Sequence, residues 1–193
     1  MPDETAVKRS AMLTQADIQQ LLSNPSAESR ALVGGKVADV YDRRAMSERE
    51  RQLADGILRV LAQDVELAVR KSLAEHLQSN PDVPHDVARK LATDVIEVAE
   101  PVLTHSDVLT DVDLIDIIRT QPTAAQVAVA KRRTVPEPVS DALAATGVEL
   151  VVATLVRNNG AEISERTFER VINDFGQSET VTSGMVSRQK LPP

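Results

Sequence analysis

Asp64-Val65-Glu66-Leu67-Ala68-Val69-Arg70-Lys71-Ser72-Leu73-Ala74 is the stretch on which the fold turns. Its leading aspartate is placed to cap a helix, because a carboxylate oxygen accepts from the open N–H groups of a first turn. Val65, Val69, Leu73 and Leu77 then recur at helical spacing and share one face. Val69 enters the core. Arg70 stands beside it, where a guanidinium can reach an acidic group on a neighbouring element.

Outward from this stretch, the same short-helix rhythm continues in both directions. On the N-terminal side, Ser47-Glu48-Arg49-Glu50 is a capping box, followed by Leu53, Ile57, Val60 and Leu61 at helical spacing. Ser26 to about Arg43 reads as helical, and Gly34-Gly35 inside it marks a close crossing or a kink. Thr14 starts a short helix to Leu22, broken by Asn24-Pro25, and residues 1–12 read as a flexible arm. On the C-terminal side, Asn80-Pro81 ends the quoted helix and Pro84 starts another with Val87, Leu91 and Val95. Asp94 restarts the chain toward Val98, Val102 and Leu103; Thr110 and Asp113 open a helix carrying Leu114, Ile117 and Ile118. Pro122 begins the next helix, ending at Lys131-Arg132-Arg133. Pro136 and Pro138 open one through Ala145, and Gly147 separates it from Val148–Arg157. Asn158-Asn159-Gly160 is a turn, and Ser164 caps a last helix holding Phe168, Ile172 and Phe175. From Gly176 the chain is rich in Ser, Thr, Gln, Gly and Pro, which predicts a disordered tail over 176–193. No run alternates with period two, so the predicted class is all-α, with a helical domain over 13–175.

Helical pairs of similar size predict a repeat. The second helix of each pair begins at Asn24, Asp64, Asp94, Gln121 and Gly147, at intervals of 40, 30, 27 and 26 residues. A lone helical hairpin cannot bury its apolar side, so neighbours must stack. The expected architecture is an α-α superhelix, a short solenoid of antiparallel hairpins.

The Asp64 stretch resembles the HEAT-repeat pattern, an aspartate in the turn with Val-Arg five and six residues on. Asn24 and Arg30 repeat the six-residue spacing; Asp94 keeps the cap, but Glu100 replaces the arginine. The order of features also resembles an uncharacterised bacterial domain family with HEAT-like repeats. Asp64–Arg70, Leu109–Leu114, Ala128–Arg132 and Leu155–Gly160 carry that resemblance. It implies a fold and no activity.

Composition narrows the function. Apolar residues make up 42%, enough for a core, and the net charge of −7 weighs against a nucleic-acid-coating role. Without cysteine there is no disulfide or thiolate chemistry, which fits a reducing cytoplasm. Met1-Pro2-Asp3-Glu4 shows no signal-peptide pattern. The longest apolar run, Leu150–Val156, is far short of the roughly 20 residues that span a bilayer. Tyr41, Phe168 and Phe175 are the only aromatics, so there is little to stack on a base or a flat cofactor.

Candidate chemistry is thin. Asp107, Asp111, Asp113 and Asp116 lack the glycine and distant glutamate of a calcium loop and read as helix-terminus carboxylates. His76, His85 and His105 lack the i, i+4 pairing of a helical metal site. Gly34-Gly35-Lys36 is followed by Val37 rather than Ser or Thr, so it is not a phosphate loop. No serine sits in a nucleophile elbow. No catalytic, cofactor or metal residue is therefore predicted.

The basic residues on or beside second helices remain: Arg70, Lys71, Lys131, Arg132, Arg133 and Arg157. They predict a strip for another protein, one with acidic or phosphorylated groups. The expectation is a non-catalytic interaction scaffold or regulatory adaptor, in bacterial signalling. The alternatives are a nucleic-acid-binding helical repeat and an enzyme on a helical scaffold.

Overall fold

The computed structural model describes residues 26–42 and 45–188. The predicted arm over 1–12, the helix from Thr14 to Leu22, and Asn24 lie outside the described residues. Eleven helices fill the described chain: α1 Ala27–Val40, α2 Glu48–Leu61, α3 Leu67–Leu77, α4 His85–Ala92, α5 Ile96–His105, α6 Asp111–Thr120, α7 Thr123–Ala130, α8 Glu137–Ala144, α9 Glu149–Arg157, α10 Glu165–Phe175 and α11 Glu179–Val186. Among the described residues no strand forms, only one isolated parallel bridge between Val135 and Ala161. The chain divides into two compact units. The first holds the described residues to Val102 with Ser106–Val108; the second holds Leu103–His105 and the described residues from Leu109.

In the first unit α1 packs on α3 and both touch α2. The two glycines of α1 make that possible. A Cβ on Gly34 would sit 3.0 Å from a Leu61 methyl, and one on Gly35 would sit 3.0 Å from the His76 ring. The predicted crossing is real: small residues let the helices approach. The Ser47 capping box forms, with the Glu50 carboxylate accepting from the Ser47 amide at 2.8 Å.

Two details differ from the sequence reading. Asp64 is not the N-cap of α3. Its carboxylate accepts from the Glu66 amide at 2.9 Å and is tied to Arg30, so the chain bends there and the helix starts at Leu67. Val65 is consequently 88% exposed. In α2 the buried side is set by Ala54, Leu58 and Leu61, while Leu53 and Val60 are 68% and 71% exposed.

The second unit is built in two layers. Helices α6, α8 and α10 pack in sequence in one, and α7, α9 and α11 in the other. Thr110 and Asp113 close a second capping box, the Thr110 hydroxyl donating to the Asp113 carboxylate at 2.6 Å. Gly147 takes φ +66°, the left-handed geometry that ends α8 and turns the chain into α9. The expected disordered tail is corrected: Ser178 caps α11, and Val181, Gly184 and Met185 bury its inner side against α9. The polar composition of 176–188 misled because three small or apolar residues at helical spacing suffice to seat so short a helix. Residues 189–193 lie outside the described residues. In α10 the buried positions are Thr167 and Val171, whereas Ile172 is 51% exposed and Phe168 and Phe175 are half-buried.

The structure also sharpens the repeat. Pro84, Thr110 and Pro136 are the N-caps of α4, α6 and α8, 26 residues apart; Ser164, two residues further on, caps α10. Leu61-Ala62-Gln63-Asp64-Val65 aligns with Leu91-Ala92-Thr93-Asp94-Val95 at an interval of 30. This register places Leu61, Leu91, Ile117, Leu143 and Val171 in one column, and all five are buried.

Candidate interaction surfaces

The predicted basic residues are not one strip. Arg70 is half-buried and committed: its guanidinium grips the Asp94 carboxylate at 2.7 and 3.1 Å and donates to the Asp64 carbonyl at 2.6 Å. Arg30 grips Asp64 in the same way, at 2.7 and 3.0 Å. Each arginine of one second helix thus holds the aspartate before the next, as planar fork-to-carboxylate pairing allows. Arg30 holds the Asp64 carboxyl below the usual carboxylate range, helped by the Glu66 amide. Burial pushes Asp94 up, but the Arg70 and Val95 hydrogen bonds outweigh it and the net direction is down. Arg70 and the half-buried Asp94 are scaffold, so Arg70 is corrected as a partner-binding residue.

Arg132 is corrected for the same reason. It is 7% exposed and donates to the Leu103 carbonyl at 2.7 Å. Lys71 is exposed and lies 3.9 Å from Glu75. Lys131, Arg133 and Arg157 are exposed at the ends of α7 and α9, and Arg157 donates to the Thr180 carbonyl at 3.3 Å. Arg70 and Lys71 belong to the first unit and the other four to the second.

A recurrent tie explains Arg132. The last carbonyls of a helix have no partner within it. Here a side chain just past the end of the following second-layer helix supplies one. Asn80 donates to the Tyr41 carbonyl at 2.9 Å in the first unit. In the second, Asn158 donates to the Ala130 and Arg132 carbonyls at 2.9 and 2.7 Å. Arg188 donates to the carbonyls of Val156, Asn158 and Ala161 at 3.1, 2.9 and 2.6 Å. Asn80, Arg132 and Asn158 keep the 26-residue period, with Ser106 between them. Gly160 lies so close to this tie that a Cβ there would meet the Arg133 carbonyl oxygen at 1.9 Å.

Two hollows remain. In the first unit an open apolar groove of about 510 Å³ runs between α1 and α2, lined by Val33, Leu53, Gly56, Ile57, Val60 and Leu61 with Arg30 and Gln52 at its edge. In the second unit a mixed hollow of about 440 Å³ is lined by Ile118, Arg119, Gln126, Ala142, Ala145 and Thr146. The Gln126 amide donates to the Ile118 carbonyl at 2.9 Å, which fixes its orientation and leaves its buried oxygen without a partner among the described residues.

Of Asp107, Asp111, Asp113 and Asp116, Asp113 closes the capping box of α6. Among the described residues no three His, Cys, Asp or Glu side chains are grouped to hold a metal. No helix there is long and apolar enough to cross a membrane.

Residues 98–193 match the model of DUF2336, described as an uncharacterised protein conserved in bacteria. The match covers just under half of the chain. It begins inside α5 and takes in α6 to α11, with three of the four stretches that suggested such a family; Asp64–Arg70 lies outside it. No curated protein and no solved structure matches the chain. The sequence reading missed the Asn80, Asn158 and Arg188 ties. Its available signal was a polar residue recurring at 26-residue spacing just beyond each second helix.

Proposed function

We propose that this protein is a non-catalytic, protein-binding scaffold of HEAT-like helical pairs. The observation that carries the reading is the groove between α1 and α2, whose surface is almost wholly apolar. Leu53 and Val60 stand 68% and 71% exposed on it, seven residues apart on one helix face. Monomeric proteins rarely leave such a patch bare without using it. An apolar face of this kind accepts an amphipathic helix, read through anchors at i, i+4 and i+7. The basic side chains at Lys131, Arg133 and Arg157 are a second, electrostatic element of the same reading, suited to an acidic or phosphorylated partner.

A photo-crosslinking residue at position 53, used in native lysate, tests this. The expected outcome is a discrete set of protein adducts that Val60→Asp abolishes. Capture of small molecules alone, or an adduct pattern unaffected by Val60→Asp, overturns the reading.

A further inference from the structure

The 26-residue register shows which faces each repeat turns to its neighbours. In α2, Arg59 reaches forward to Asp86 of α4, at 2.6 Å. Asp86 therefore marks the side of α4 turned back toward α2, and Gly56 holds its place in α2 at the interval of 30. Leu53 and Val60 flank Gly56 on that backward side. The column of Leu53, which lies within α2 and is 68% exposed, continues as Val83, Leu109 and Val135, which directly precede the N-caps Pro84, Thr110 and Pro136 and are 5%, 5% and 0% exposed, and then as Ile163, half-buried. Ile57, half-buried, heads a second column whose members Val87, Asp113, Val139 and Thr167 are 1%, 5%, 0% and 2% exposed. Among the described residues the Ile57 position is thus buried in each later repeat and only half-buried in α2, while the Gly56 and Val60 columns stay exposed at Asp86, Val112, Lys90 and Asp116.

The forward face behaves in mirror fashion. Asp141 of α8 accepts from Thr167 of α10, so position 141 looks forward. Position 169 is its counterpart in α10, and Ile172 lies one turn on. The column of Ile172 contains Ala62, Ala92, Ile118 and Ala144, exposed by 1%, 1%, 2% and 2%, against 51% for Ile172. That of Phe168 contains Leu58, Ala88, Leu114 and Ser140, all buried, while Phe168 is half-buried. At these two sites α10 carries Phe and Ile where the preceding repeat carries Ser140 and Ala144. A bulky aromatic on an uncovered contact face is the usual anchor of an interface.

We infer that copies of this chain stack head to tail, the Phe168–Ile172 face of one seating on the Leu53–Ile57 face of the next. The occupant is a second copy because the chain holds both halves of one contact, the same contact that joins its own repeats. It rests on the protein-binding reading above and names the partner. Such an association is heterologous: each interface uses one forward and one backward face, so it propagates beyond two copies.

Sedimentation velocity over a concentration series tests this, with the full chain and two variants at exposed positions, Leu53→Asp and Ile172→Asp. The wild type is expected to grow with concentration beyond two chains of 20.9 kDa. Each variant alone stays monomeric, because it lacks one of the two faces. An equimolar mixture regains a dimer and goes no further, since one intact pair of faces remains. Val65→Asp, at an 88% exposed residue off both faces, is the control that keeps wild-type growth. A wild type that stays monomeric overturns the inference, whether the groove is open or covered by the chain's own residues. So does an Ile172→Asp variant that still dimerises, which means α2 pairs with α2. If the wild type is monomeric yet Val60→Asp abolishes the crosslinked adducts, self-stacking falls and the protein-binding reading stands.

Discussion

The two units solve one problem with different chemistry. Successive repeats must be held in register, and the first unit does it with charge pairs: Arg30 to Asp64, Arg70 to Asp94, and Arg59 to Asp86. The second relies mainly on side chains that end on backbone carbonyls, Arg132 on Leu103, Asn158 on Ala130 and Arg132, and Arg188 on three carbonyls, beside the Thr167 hydroxyl on Asp141; the first has one such carbonyl tie in Asn80. A carboxylate can be neutralised; a carbonyl cannot. The contrast teaches that the first unit is the more sensitive to acid, and the second is the one in which removing a single donor strands several buried acceptors.

The largest effect is expected from Arg188→Ala. The buried guanidinium serves three carbonyls, and leaving buried acceptors unmet costs about 3 kcal/mol in total. Chemical denaturation followed by far-ultraviolet circular dichroism measures it; a loss below about 1 kcal/mol would show that water replaces the side chain easily. Burial pushes the Arg188 guanidinium down, but not into a range where it loses its proton near neutrality. Its tie therefore holds across the pH range in which the first unit's pairs fail.

Acid separates the units next. Asp64, Asp86 and Asp94 all lie below the ordinary carboxylate value in the folded chain. A depressed carboxylate stabilises the fold above its unfolded value, about 3.9, and that contribution disappears as pH falls through the folded one. Tyr41 is the single tyrosine, it is buried in the first unit, and the chain has no tryptophan. Its fluorescence therefore reports that unit. Between about pH 5 and pH 3 its urea midpoint should fall faster than the midpoint seen by circular dichroism. Asp94→Asn should flatten that fall; parallel movement of the two signals would abolish the distinction drawn between the units.

Gly56→Ala should give the smallest change, and of opposite sign. A Cβ there meets nothing within 4 Å, so the substitution should add about 1 kcal/mol of stability through helix propensity. A loss of stability would mean that the backward face of α2 is already covered within the chain.

Much of the fold was legible because its signals are local. Ser47 with Glu50, Thr110 with Asp113, Gly147 and Asn158-Gly160 each act over a few residues, and all stand where their chemistry requires. The surfaces were not legible. Arg70 and Arg132 looked like partner-binding cations, but their counterparts lie 24 and 29 residues away and engage them. Leu53 looked like core, yet it is 68% exposed.

The sequence by itself determined the all-α class, the helix starts at Ser47, Thr110 and Ser164, the break at Gly147, and a succession of helical pairs. Those follow from hydrogen bonds and backbone preferences within a turn or two of chain. Only the tertiary structure decided which apolar side of each helix is covered, which arginines are ties, and that 178–188 is helix rather than tail. Burial is a property of neighbours brought together from far along the chain, and no local pattern contains them.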